Sequence, residues 1–409
     1  MFACKDNFCI GINYWPIKKA MYWWRNFERT EVEQDFTTLA SNKFKLVRIF
    51  LTWEDFQPQP DLVSKIALEN LLWTADCAER NSLQLIPTFF CGHMSGVNWL
   101  PYWMIEDKND NHSRFRIFCQ TSYKTGKIKN YYADNELILA QCEQITAVVK
   151  MLCDHPGVHS YDLGNEASNL AIPESRKQGR NWLDKMVSAV KNITPAPVTF
   201  GMHAEDLEED RNLWPQDAAE FCDYLCMHAY PFYLSWLKDP FDYMIVPFLT
   251  IITEWLSQKP VFMQEFGLPT LPVIHPLLPE NDRFKMKSPL WDEKQAALYY
   301  EKTLTALCQQ KVPAALSWCF ADYSPYFWDL PPLKENHHER YFGLFRHDGS
   351  PKEAVGVIKE GTWQKDSPGI NNGQDFLLDI QRDNFYRDPR KNLADMFAAY
   401  KAGLKAGVS

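Results

Sequence analysis

The sequence is short of several things, and each shortage removes a class of function. It has no stretch of about 20 consecutive apolar residues, so no membrane-spanning helix is expected. It has no run of five or more lysines and arginines, and its formal net charge is −9. A nucleic-acid partner, which selects basic surfaces, is therefore not expected. The first residues, MFACKDNFCIGINYW, lack a basic start followed by an unbroken apolar core and a small-residue cleavage site. They do not read as a secretory signal, and a cytoplasmic location is expected. The eleven cysteines are scattered without C-x-x-C pairs, which disfavours zinc and predicts reduced, buried thiols. There is no internal repeat and no low-complexity linker.

Aromatic residues, by contrast, are plentiful. They make up 14% of the 409 residues, with 15 tryptophans among them. Most must be core, because aromatic rings bury large areas. The surplus of tryptophan raises the expectation of a cleft for sugars, whose C–H faces pack on indole, or for other stacked rings. Length exceeds the roughly 250 residues of a minimal (β/α)8 barrel but stays within reach of loop insertions.

Eight short apolar runs recur along the chain: FCIGINY (8–14), KLVRIFL (45–51), LQLIPTFF (83–90), VHSYDLG (158–164), PVTFGMH (197–203), CDYLCMH (222–228), PVFMQEF (260–266) and AALSWCF (314–320). Several are near-continuously apolar, as strands covered on both faces are. Amphipathic stretches lie between them: 30–42, 67–80, 133–152, 181–190 and 292–307. The alternation predicts a single-domain (β/α)8 TIM barrel over residues 1–363, with a helical extension over 364–409 whose last helix covers 392–406. Two long insertions follow the third run (92–132) and the seventh (268–289), on the face where barrels build sites.

The ends of the runs carry the polar groups. Arg48 lies late in the second run, and His93 follows the third. Asn165 and Glu166 follow the fourth, and His203 ends the fifth. His228 ends the sixth with Tyr230 beyond it, Glu265 ends the seventh, and Trp318 lies in the eighth. In a barrel these ends converge. Carboxylates on the fourth and seventh strands would face each other, as a retaining glycosidase requires of its acid/base and its nucleophile. Arg48 is placed to hold Glu265 ionised. Asn165 is suited to the 2-hydroxyl of the sugar, a contact that strengthens in the transition state. Trp15, Trp53 and Trp99, just past or near strand ends, are further sugar-contact candidates. His203, His337 and His338 read more simply as structural or solvated residues.

The strings YDLGNEASN (161–169) and VFMQEFGLPT (261–270) resemble the acid/base and nucleophile segments of glycoside hydrolase family 5. The likeness extends to VRIF, to CGHMSG after the third run, to MHAYPFY, to SWCFADY and to GLFRHDGSPKEA, in order along most of the chain. It implies that Glu166 is the acid/base and Glu265 the nucleophile. It also implies that Arg48, His93, Asn165, His228, Tyr230 and Trp318 line the subsite of the cleaved sugar. The segment FFCGHMSGVNWLPYW (89–103) is similar to the third-strand loop of bacterial exo-acting β-mannosidases of that family, whereas MIEDKNDNHSRFRIF (104–118) departs from it.

The resulting expectation is a retaining, exo-acting β-mannosidase of short β-linked oligosaccharides, without metal or cofactor. Three other readings stand beside it. The first is an endo-β-1,4-mannanase or endoglucanase. The second is a metal-dependent barrel hydrolase using His93, His203 and His228, although the first-strand place for a His-x-His pair holds Asn13, Tyr14 and Trp15. The third is an inactive carbohydrate-binding barrel.

Overall fold

A computed structural model describes residues 8–106, 113–271, 289–364 and 380–406, with the backbone alone over 404–406. Eight parallel strands are present: β1 (Cys9–Asn13), β2 (Leu46–Thr52), β3 (Gln84–Cys91), β4 (Tyr161–Asn165), β5 (Val198–Gly201), β6 (Leu225–His228), β7 (Val261–Phe266) and β8 (Ala314–Ser317). Each falls within or across one of the eight apolar runs. They pair in the order β5-β4-β3-β2-β1-β8-β7-β6. The circle closes between β5 and β6, where the His228 N–H donates to Met202 O at 3.0 Å and His203 bridges His228. This is a (β/α)8 TIM barrel.

Helices separate the strands. The four long helices beginning at Lys65, Asn135, Arg176 and Glu293 are each preceded by a side chain, Ser64, Asp134, Ser175 or Asp292, that accepts a first-turn N–H. Such caps satisfy donors that a helix start leaves open. The helix Ile245–Ser257, which precedes β7 and is not among the amphipathic stretches expected, buries ten of its thirteen residues.

Inside the barrel, side chains change character from the amino to the carboxyl end. A small apolar cluster of Cys9, Leu46, Ile86, Tyr224, Cys226, Phe262, Ala314 and Leu316 is separate from the large core between sheet and helices. Two residues further along, on the same inward face of each strand, stand Arg48 after Leu46, Thr88 after Ile86 and Gln264 after Phe262. All three are fully buried. The lower barrel is thus an apolar plug and the upper barrel a polar floor. Gly11 allows the tight closure, since a Cβ there would lie 2.6 Å from Leu316 Cγ.

The insertion after β3 forms a small sheet of its own from His93–Met94, Val97–Trp99, Arg116–Cys119 and Ser122–Lys124. Most of the expected insertion after β7 lies outside the described residues. The final helix, Pro389–Ala406, begins three residues before the sequence predicts. It packs on the barrel through Phe397 against Trp236 and Phe248. No helix among the described residues is long and apolar enough to cross a membrane. The expectation of free, buried thiols holds at six cysteines; Cys142 and Cys308 are free but half-buried, Cys153 is free and exposed, and Cys9 is disulfide-bonded.

Candidate active site

Irregularities at the strand ends lift the two glutamates out of the barrel floor. The β4–β5 register shifts between Asp162 and Asn165, and the β6–β7 register shifts so that His228 pairs with Glu265. Such bulges re-aim side chains at barrel rims. Glu166 itself adopts a left-handed φ of 48°, a backbone state costing of order 1–3 kcal/mol in a non-glycine residue and concentrated at functional sites. Its neighbour across the sheet is Gly201, where a Cβ would sit 2.0 Å from Gly164 O and 3.4 Å from Arg48 Nη2.

Both carboxylates open into one cavity of ≈ 360 Å³, lined also by His93, Asn165, His203, His228, Tyr230 and Trp318. A carboxylate oxygen of Glu166, one of Glu265 and a ring nitrogen of His228 all lie within 4.8 Å of one another. Arg48 lies beneath the cavity, fully buried. Its Nη1 reaches Glu265 Oε1 at 2.5 Å and its Nη2 reaches Asn165 Oδ1 at 2.9 Å. Nε bonds Thr88 Oγ1 at 2.9 Å and Asp162 Oδ2 at 3.0 Å. Tyr230 OH donates to the other Glu265 oxygen at 2.9 Å.

Glu166 has a different setting. Its Oε1 faces His228 Nδ1 at 3.0 Å and its Oε2 accepts from Asn169 Nδ2 at 3.0 Å. His93 Nε2 and His203 Nδ1 stand at 3.8 and 4.0 Å. The tautomer of His228 follows from its neighbours. Gln264 Nε2 donates to Asp162 Oδ2 at 3.1 Å, which turns Gln264 Oε1 towards His228 Nε2 at 3.1 Å. An amide oxygen only accepts, so Nε2 carries a hydrogen. Nδ1 then shares a single proton with Glu166.

The electrostatics agree with a shared proton. Burial pulls the His228 imidazole down, but the negative charges of Glu265 and Glu166 carry it above the ordinary histidine value. Burial pushes Glu166 up, and the adjacent His203, His228 and His93 bring it below the ordinary glutamate value. Burial raises Glu265, while His228 and Arg48 oppose that rise and the Glu166 charge adds to it. The balance leaves Glu265 above the ordinary value, which corrects the expectation from the sequence: Arg48 limits the rise but does not cancel it. Burial lowers the His93 imidazole, while the Glu166 charge and the Asn98 contact oppose that fall.

Four sequence candidates, Trp53, Trp99, Trp15 and Arg48, are not part of the cavity lining. Trp53 is fully buried, packed against Phe90 and Trp103, with its indole N–H on Gln57. Trp99 is buried against Tyr22 and Phe118, with its N–H directed to Met94 O. Both are corrected to core residues: Trp53 opens the short helix Trp53–Phe56, and Trp99 ends a strand of the small sheet after β3. Trp15 is likewise core, stacked on Phe50. Arg48 is corrected from lining the sugar subsite to supporting its floor. His203 does face the cavity, anchored by Ser168 at 2.9 Å.

The sequence reading passed over Asn169, Arg114, Phe115, Glu205, Tyr233 and Glu339, all of which face the cavity. Asn169 follows Glu166 by three residues, a one-turn spacing that could have drawn notice. Arg114 and Glu205 form an ion pair at the rim.

No protein-family model and no curated protein sequence matches the chain. Solved structures do. A variant of a GH5_18 enzyme from Streptomyces cattleya, in complex with Manb1-4GlcNAc, has a TM-score of 0.74 at 19% identity, over 98% of this chain and 92% of that one. A GH5_18 variant from Bifidobacterium longum, also with Manb1-4GlcNAc, has a TM-score of 0.70 at 18% identity, over 88% and 79%. An exo-beta-1,4-mannosidase from Opitutaceae bacterium strain TAV5 has a TM-score of 0.66 at 24% identity, over 87% of this chain and 59% of that one. This barrel is thus of the kind on which solved glycoside hydrolases are built.

Proposed function

We propose that the protein is a retaining β-mannosidase of the glycoside hydrolase family 5 type that removes single sugars from short β-mannosides. The carrying observation is the pair of carboxylate oxygens within 4.8 Å, one bound to arginine and the other to histidine. Retention needs a separation of about 5–5.5 Å, whereas inversion needs roughly 6.5–9.5 Å to admit a water.

In this reading Glu265, paired with Arg48, attacks the anomeric carbon. Glu166 takes the proton it shares with His228 and delivers it to the departing oxygen. With Glu265 esterified, Glu166 accepts a proton from water, which attacks the same carbon and releases the sugar with its configuration retained. Asn165 spends one amide N–H on His93 O, and its second N–H is available to the 2-hydroxyl. Trp318 supplies an aromatic wall for the pyranose.

Exo action is supported by a wall across one end of the cleft. Asn336 Nδ2 donates to Ser95 O at 2.7 Å, and Ser95 Oγ donates to Glu339 at 3.0 Å. Further out, Glu335 binds Arg116 at 3.0 Å and Tyr123 OH at 2.8 Å. The loop after β3 is therefore tied to the segment after β8, which argues against an endo-acting open groove. A metal-dependent mechanism is disfavoured because the Arg48 guanidinium already neutralises Glu265 and opposes a dication beside it. The solved structures with Manb1-4GlcNAc and the exo-mannosidase support mannose as the glycone.

The test is a panel of p-nitrophenyl β-glycosides, with β-1,4-mannobiose, Manβ1-4GlcNAc and mannohexaose, assayed with EDTA. The β-mannoside is expected to turn over fastest, EDTA to leave the rate unchanged, and mannose to be the first product from mannohexaose. Internal cleavage products, EDTA inhibition or a preference for β-glucoside would each overturn the corresponding part.

A further inference from the structure

Besides Glu166 and Glu265, two buried carboxylates line the cavity that the two-glutamate chemistry does not use: Glu208, which accepts from the Trp236 indole N–H, and Glu339. Glu339 lies on the short 3-10 helix His337–Tyr341, is 7% exposed and faces the cavity. Its Oε2 accepts from Ser95 Oγ at 3.0 Å and its Oε1 from Tyr233 OH at 3.2 Å. The nearest basic group is His338 Nε2, at 3.4 Å. Among the described residues no lysine or arginine pairs with Glu339. A buried carboxylate without a cation is costly unless hydrogen-bond donors surround it. Two hydroxyls are present, and a carboxylate offers about four lone-pair sites. The remaining acceptor capacity faces the pocket.

The position of Glu339 says what would fill that capacity. The leaving group must lie beside Glu166, on the flank occupied by Asn169, Glu205 and Arg114. Glu339 is linked instead to the Glu265 side of the cavity: Tyr230 holds its hydroxyl on Glu265 at 2.9 Å, its ring is 5.7 Å from that of Tyr233, and Tyr233 OH donates to Glu339 at 3.2 Å. Glu339 is also part of the wall, through its bond to Ser95. A sugar seated over Glu265 would turn its edge remote from the cleaved bond towards this carboxylate.

We propose that Glu339 is a specificity-determining residue that accepts hydrogen bonds from the 4-hydroxyl and a neighbouring hydroxyl of the terminal glycone. The inference rests on the β-mannosidase reading above and deepens it. A free terminal sugar donates to Glu339. A sugar substituted at oxygen 4 has no proton to donate there and drives its substituent into the wall of Ser95 and Asn336. Exo action then follows from recognition as well as from obstruction.

The experiment compares wild type with Glu339→Gln on p-nitrophenyl β-mannoside and on its 4-deoxy analogue. For wild type, loss of the 4-hydroxyl is expected to lower kcat/KM roughly 10–10²-fold, the scale of a hydrogen bond to a charged group. Glu339→Gln is expected to lower kcat/KM on the parent by a similar factor, and on the 4-deoxy substrate by less than about 3-fold. Equal losses on both substrates would overturn the proposal. A second measurement needs no variant: wild type should leave the 4-O-methyl β-mannoside uncleaved, and turnover near the parent rate would also overturn it. If wild type prefers another β-glycoside, the mannose reading fails, and the same 4-deoxy comparison on that glycoside still decides the role of Glu339.

Discussion

One guanidinium joins the two halves of the site. Arg48 reaches Glu265 Oε1 with Nη1 at 2.5 Å and Asn165 Oδ1 with Nη2 at 2.9 Å. Glu265 stands on β7, Asn165 on β4 and Arg48 on β2, so three strands are locked into one geometry from below the cavity. Asp162 completes the charge balance, at 2.9 Å from the same Nη2.

Arg48→Lys should preserve the charge and lose the fork. A lysine is a single point and cannot hold Glu265, Asn165 and Asp162 in fixed relation. Steady-state kinetics on the β-mannoside should show kcat/KM lower by at least about 10²-fold, the usual consequence of misplacing reacting groups by an ångström. Arg48→Met should in addition destabilise the fold by about 3–5 kcal/mol in chemical denaturation, because it strands two buried carboxylates. A Lys variant with wild-type turnover would show that the fork does not matter.

The pH dependence of kcat/KM should be a bell displaced upward on both sides. Glu265 attacks only when ionised, so activity rises with pH through its value, which burial raises above that of an ordinary glutamate. Glu166 protonates the leaving group only while the proton it shares with His228 is present. That proton is lost as pH rises through the raised His228 value. The basic limb should therefore lie above about 6.5, the ordinary histidine value. A basic limb below that value would contradict the shared-proton arrangement.

Away from the site, Asp35 should make the fold less stable as pH rises. Burial lifts its carboxyl to about 8 despite the hydrogen bond from Tyr14, with the Glu31 charge adding to the rise. In the unfolded chain it titrates near 3.9. Between those values the folded chain holds a proton that the unfolded chain has released, so stability is greatest below the unfolded value and declines as pH rises to about 8. Melting temperatures between about pH 5 and pH 9 should fall for wild type and fall less for Asp35→Asn, which keeps an acceptor for Tyr14. Parallel curves would rule out Asp35 as the source.

The barrel was legible because strands buried on both faces leave continuous apolar runs, and all eight runs became strands. The glutamates were legible because barrel topology brings strand ends together whatever the loops do. Orientation past the strand ends was not legible. Trp53 directly follows its strand as Trp318 does, yet it opens a short helix and packs into the core, and Trp99 is carried away in the small sheet after β3. The wall was beyond reach for a different reason. Ser95 and Glu339 are 244 residues apart, and nothing local in either segment signals the other. The left-handed turn at Glu166 is likewise set by the approach of Gly164 and Gly201, a contact between strands.

The central claim is that Glu265 forms a covalent bond to the sugar, and azide rescue of Glu265→Ala tests it most directly. The variant should lose nearly all turnover of p-nitrophenyl β-mannoside. Added azide should restore part of it by entering the space left by the carboxylate, giving the α-mannosyl azide by NMR. A β-configured azide, or a variant that azide does not rescue while it remains folded, would contradict the assignment.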